Sequence, residues 1–253
     1  MTGTVLDYDP LTFAVIFAAL ALGGTMKGAT GAGAPVIAIP VMAAFYDVRF
    51  AVVMMAIPGV VMNIMQLRKY HAAHLPDRFA LKYAICGGTG TFLGTIILAT
   101  LPVEALTLII AGAVVAYILL RIARPGFKIP WEAARRLVWP VGLVSGVLQG
   151  SAGLSAPVSV SFLNALRIPR EAFIVTISSL FTGMSLVQVP ALIGFGLLTW
   201  DRALLSLAAL IPLLGFMPVG NWLARRLPPV AFDRLVLVLL TILAVRLIWS
   251  ALA

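Results

Sequence analysis

The chain has 253 residues, of which 62% are hydrophobic and only 11% charged, against about 25% charged in a soluble domain. That composition excludes a water-soluble globule and implies a polytopic membrane protein, and the absence of two-residue alternation excludes a β-barrel. A formal charge of +9 is gathered in short loops between apolar runs, the placement of cytoplasmic loops in membrane proteins, and does not mark a nucleic-acid surface.

The opening residues lack a basic leader and a cleavage pattern, so the first apolar run is expected to be mature structure. Periodicity and breakers then predict a helix over about residues 11–24 and a second over about 35–46. Between them lies the most informative segment, Lys27-Gly28-Ala29-Thr30-Gly31-Ala32-Gly33-Ala34-Pro35. Glycine permits irregular backbone and proline fits the first turn of a new helix, so the segment reads as helix, break, helix. Longer helices follow over about 50–68, 78–100 and 102–122. Cys86, the single cysteine, falls inside one of them, so no internal disulfide can form.

About 122 residues downstream the order repeats. Gln149-Gly150-Ser151-Ala152-Gly153-Leu154-Ser155-Ala156-Pro157 echoes the first break, with predicted helices over about 137–149, 157–166, 171–195, 201–226 and 228–249. Gln66 answers Gln188, Gly94 answers Gly220, and Leu101-Pro102 answers Leu227-Pro228. The offset drifts to about 126, as short loop insertions would cause. The expected organisation is a first transmembrane repeat over 1–124, a cytoplasmic linker over 125–136 containing Pro125, Gly126, Pro130 and Trp131, and a second repeat over 137–253.

At 1.5 Å per residue the pieces flanking the first break are about 21 and 18 Å long, short of a hydrocarbon core of about 30 Å. The predicted fold class is therefore all-α: two inverted repeats, each a re-entrant or broken helical hairpin followed by three full crossings. Three crossings per half is an odd number, which turns the second half over. Loop charges agree with this. The basic loops carry Arg68, Lys69, Arg78 and Lys82 in the first half. In the second they carry Arg167 and Arg170, then Arg225, Arg226 and Arg234, and all fall on the side of the basic linker. Both termini then lie outside.

Each second half-helix aims its N-terminus at a break, where unpaired amides and the dipole favour an anion. Lys27 adds a full positive charge, which costs about 2.5–3.5 kcal/mol at the bilayer centre and demands a partner or a watery cavity. The expected substrate-binding residues are Lys27, Thr30, Gly31, Gly33, Asn63, Gln66, Gln149, Ser151, Gly153, Ser155 and Gln188. Ser159, Ser161, Thr176, Ser178, Ser179 and Ser185 supply further hydroxyls in the second half. Lys27 could equally cap the carbonyls ending its own helix, and the small residues could be helix-packing positions.

His71 and His74 have a metal-compatible spacing, yet they belong to a basic helix end, and neither a metal nor a cofactor is expected. Gly153-Leu154-Ser155 resembles an intramembrane serine protease fragment without a base nearby, so catalysis is not expected either.

Lys27-Gly-Ala-Thr-Gly-Ala-Gly-Ala-Pro-Val-Ile-Ala-Ile-Pro40, its echo Gly150-Ser-Ala-Gly-Leu-Ser-Ala-Pro157, and Leu166-Arg-Ile-Pro-Arg-Glu-Ala-Phe173 together resemble the TauE/SafE family of sulfite and organosulfonate exporters over essentially the whole chain. The resemblance implies transport of sulfite, sulfonates or related organic anions across a bacterial inner membrane. Family members commonly carry a run of glycines after the first break, where this chain has Gly33-Ala34-Pro35. The expected partners are a small anionic substrate and the lipid bilayer, with no nucleic acid; a homodimer is allowed. Competing classes are an anion channel or importer on the same scaffold, and a cargo-free assembly or sensor subunit.

Overall fold

Eleven helices order the described part of the chain, residues 10–123 and 128–226 of a computed structural model. They are α1 (Pro10–Thr30), α2 (Ala34–Phe45), α3 (Val48–Met54), α4 (Ala56–Lys69), α5 (Phe79–Thr100), α6 (Val103–Ala123), α7 (Trp131–Ala152), α8 (Ala156–Ala165), α9 (Arg170–Gly194), α10 (Trp200–Ala208) and α11 (Leu210–Arg226). The helix expected over 228–249 and both termini lie outside the described residues.

Among the described residues, five stretches are long and apolar enough to cross a bilayer: Pro10–Thr30, Val48–Lys69, Phe79–Thr100, Arg170–Gly194 and Trp200–Ala224. The chain is a multi-pass membrane protein. Large apolar side chains such as Leu11, Phe13, Leu186, Ile211 and Trp200 stand exposed on its outside, as lipid-facing residues do. Polar ones such as Asn63, Gln66, Ser178 and Gln188 are buried within.

Two helices extend further than their sequence implied. The first was expected to end near residue 24 but continues to Thr30, because its glycines serve packing rather than breakage. A methyl group on Gly24 would strike the Leu213 carbonyl of α11, and one on Gly28 the Met217 carbonyl. Small residues let the two backbones touch. Thr25 and Thr30 return their hydroxyls to Ala21 O and Met26 O, each at 2.9 Å, inside the same helix. With 21 residues, α1 is about 31 Å long rather than the expected length of about 21 Å and reaches across a hydrocarbon core, so its length does not support a re-entrant hairpin. Likewise α7 begins at Trp131 rather than near residue 137, with Pro130 before it and Glu132 in its first turn, a favourable charge at a helix start.

Two other crossings are interrupted. The stretch Val48–Lys69 divides at Met55 and Trp200–Ala224 divides at Ala209. Pro58 and Pro212 stand three residues beyond these points, and neither supplies the amide that a continuous helix would need. Asp47 caps the start of α3 by accepting the Phe50 amide at 2.8 Å.

The α5–α7 contact repeats the α1–α11 contact. Gly150 abuts Thr91 O and Thr95 N, as Gly28 abuts Met217 O and Asn221 N. Gly94 meets Val147 O and Ser151 N, and Gly220 meets Thr25 O and Ala29 N. Gly28 and Gly150 are 122 residues apart, Met217 and Thr91 are 126 apart, and both spacings match the internal echo of the sequence.

Among the described residues the apolar interior gathers at two centres. One gathers α2, α3 and α6 around Ile39, Met42, Val53 and Ile110. The other gathers α5, α7, α8 and α9 around an aromatic group in which the Phe79 ring lies 5.1 Å from Trp131 and 6.3 Å from Phe162.

Candidate functional site

Lys27 lies one turn before the end of α1 and is 2% exposed. Its Nζ donates to Asn63 Oδ1 of α4 at 2.5 Å and sits 5.4 Å from the centre of the Phe181 ring of α9. The ring face attracts the ammonium, and the Asn63 amide is held in turn, its Nδ2 donating to Gly59 O at 2.6 Å. Among the described residues no carboxylate pairs with Lys27. The carbonyls that end α1 are served instead by Arg170, whose guanidinium donates to Gly28 O at 3.5 Å and Ala29 O at 3.2 Å. Lys27 is thereby left aiming across to α4 rather than along its own axis.

Gln66 closes the group. Its Nε2 donates to Lys27 O at 3.5 Å, and its Oε1 accepts from Ser178 Oγ of α9 at 2.9 Å. One side chain therefore ties three helices, two from the first half of the sequence and one from the second. A spacing of three residues puts Asn63 and Gln66 on the same face of α4, and Ser178 and Phe181 on the same face of α9.

A second, uncharged group surrounds the other break. Gln188 Nε2 donates to Gln149 O at 3.4 Å, Ser155 Oγ to Gln149 Oε1 at 3.2 Å, and Ser159 Oγ to Ser155 O at 2.9 Å. The hydroxyls of Ser155 and Ser159 are 3.4 Å apart, longer than a strong O–H···O bond. Ser151 turns its hydroxyl back onto Val147 O at 2.8 Å. Among the described residues no hydrogen bond joins this group to the Lys27 group.

The breaks themselves need glycine. Gly31, Gly33 and Gly153 have φ of 81°, 98° and 68°, a left-handed conformation that strains any residue with a Cβ. The side-chain space at Gly31 is filled by Ile174 and that at Gly153 by Ile39. Thr30 staples the first break, its Oγ1 accepting from Ala32 N at 3.2 Å. Pro35 and Pro157 stand in the first turns of α2 and α8, and neither Gly33 nor Ser155 offers those helices a side-chain cap.

Of the residues singled out in the sequence, Lys27, Asn63, Gln66 and Ser178 come together at one break, and Gln149, Ser155, Ser159 and Gln188 at the other. Phe181 and Arg170 were not foreseen as parts of a site. Phe181 had a readable signal, because it continues the buried stripe of Ser178 and Gln188 at helical spacing. His71 lies apart in an exposed loop, with Nδ1 3.0 Å from Arg68 O.

No curated protein and no solved structure matches the chain. The description of one protein family, Sulfite exporter TauE/SafE, matches residues 16–247, a span that takes in both breaks and every side chain of both groups. The chain therefore belongs to the TauE/SafE family of membrane transporters for sulfite and related anions.

Proposed function

We propose that this protein is a secondary carrier that moves a small oxyanion, sulfite or an organic sulfonate, out across the bacterial inner membrane past the buried Lys27. The observation that carries this reading is a buried ammonium whose partners among the described residues are a neutral amide and an aromatic face. A cation in that position is incompletely compensated, and an anion entering beside Asn63 supplies the missing charge while the second N–H of Gln66 Nε2 offers a hydrogen bond to its oxygens. The uncapped start of α2 adds a positive dipole end.

The two halves act as inverted repeats in this reading, with residues 1–124 and 137–253 as the repeats. Support comes from the paired glycine contacts at offsets of 122 and 126, and from the matching bonds of Gln66 to Lys27 and of Gln188 to Gln149. The Arg135–Asp77 ion pair at 3.2 Å draws the basic linker and the basic loop after α4 to one end of the bundle, as the cytoplasmic assignment of both requires. A potential positive outside favours anion exit by about 2.3 kcal/mol per charge per 100 mV, so export proceeds without a coupled ion. Alternation of access arises as the helices bearing the two breaks shift against one another.

Counterflow in proteoliposomes tests this. Labelled sulfite should accumulate against unlabelled sulfite or methanesulfonate inside and saturate with concentration, and Lys27→Gln should lose the exchange. Single-channel currents without exchange would overturn the carrier, and full exchange by Lys27→Gln would remove the site.

A further inference from the structure

A cavity of about 200 Å³ opens between the C-terminal parts of α1, α4 and α11 and the first turns of α9. Its lining is mostly apolar, Ile174 and Met217 included, and Gly28, Gln66, Asn221 and the exposed Lys69 line it as well. With about 30 Å³ of liquid volume per water, it has room for a small hydrated anion. Gln66 borders the cavity on one side, while its amide holds Lys27 O and its carbonyl holds Ser178 on the other.

We propose that this cavity is an entry station for the anion, at which Lys69 first captures the charged head and from which Gln66 admits it to Lys27. The inference rests on the Lys27 reading above. Lys69 occupies the last turn of α4 beside Arg68, its Nζ 5.4 Å from the Tyr70 ring, so its charge is held near the opening. That end of the bundle carries the basic loops, so cargo enters from the cytoplasm. Anions in the mouth meet a cation in water, where capture is weak and screened by salt. Past Gln66 they meet one that is desolvated, where binding is stronger. The two lysines therefore divide the work, Lys69 setting the rate of capture and Lys27 the commitment to crossing. Ile174 and Met217 give an organic sulfonate a wall for its carbon tail that sulfite does not use.

The test is the concentration dependence of labelled sulfite efflux from proteoliposomes, at low and high salt, for the whole protein and its Lys69→Gln, Lys69→Arg and Arg136→Gln variants. Lys69→Gln should raise KM about five-fold at low salt with kcat unchanged, and the rise should shrink at high salt. Lys69→Arg should restore KM, and Arg136→Gln, an exposed cation removed elsewhere, should leave it alone. As a check independent of Lys69, Met65→Cys, at an exposed residue lining the cavity, in a Cys86→Ala background should react with a membrane-impermeant thiol reagent from the basic-loop side and be protected by methanesulfonate. A KM unchanged in Lys69→Gln, an equal rise in Arg136→Gln, or labelling that methanesulfonate does not slow would each overturn the entry station. If Lys27→Gln still loses exchange in those cases, the transport reading stands without it; if the unaltered protein shows no exchange, both fall.

Discussion

Gln188 presents its side-chain amide to the backbone oxygen of Gln149 at 3.4 Å, in the same relation that Gln66 bears to Lys27 at 3.5 Å. In both pairs the partners are 39 residues apart, and in both the acceptor lies in the last turn before a break. The helices carrying the two pairs thus dock alike, but one acceptor residue bears a charge and the other does not. Function is expected to follow that asymmetry.

Replacing Lys27 by Gln should leave the protein inserted and folded, since an uncharged amide can still meet Asn63, while sulfite exchange falls by about 10- to 100-fold. That range corresponds to loss of a charge-assisted interaction of about 1.5–3 kcal/mol. Gel filtration in detergent and initial rates in proteoliposomes measure the two halves of this expectation.

Removing the Ser159 hydroxyl should matter far less. Both its bonds are to Ser155 at the start of its own helix, and even side-chain hydrogen bonds between membrane helices average about 0.6 kcal/mol. Ser159→Ala should keep exchange within about three-fold of the unaltered rate. A loss as large as that of Lys27→Gln would relocate the site to the uncharged group.

Gly28→Ala and Gly150→Ala should destabilise by comparable amounts, because each new methyl strikes a backbone carbonyl that cannot yield, Met217 in one and Thr91 in the other. Overpacking of this kind costs about 1–3 kcal/mol. Gly112→Ala is the control: nothing lies within 4 Å of its added carbon, and better helix propensity should stabilise by up to about 1 kcal/mol. Thermal unfolding in detergent, followed at one lipid-to-detergent ratio, ranks the three.

Ser178→Ala and Gln66→Leu should be coupled. Ser178→Ala leaves Gln66 Oε1 without its donor, whereas the double variant removes both partners, so it should be less impaired in stability than the sum of the single variants. Additive losses would show that the two side chains act separately.

Much of the helix order was readable because apolar runs, prolines and loop charges mark crossings directly. The echo of Lys27–Pro35 in Gln149–Pro157 pointed to both polar groups and to the Gln66 and Gln188 partners. The extent of the breaks was not readable. Gly24 and Gly28 are indistinguishable in sequence from Gly31 and Gly33, yet the first two receive a neighbouring backbone and the last two turn the chain. Only the position of α11, nearly 200 residues away, separates those roles. Arg170 was hidden for the same reason. A basic residue in a loop reads as topology, and its grip on Gly28 and Ala29 depends on where α9 begins.

The crossed glycine contacts carry a mechanical corollary. Since α1 is locked to α11 and α7 to α5 at backbone distance, a displacement of either first helix drags along a segment encoded in the opposite half of the gene. The pieces that travel together are thus hybrids, and cutting the chain at its linker would place the two members of each packed pair on different fragments, held together by packing alone.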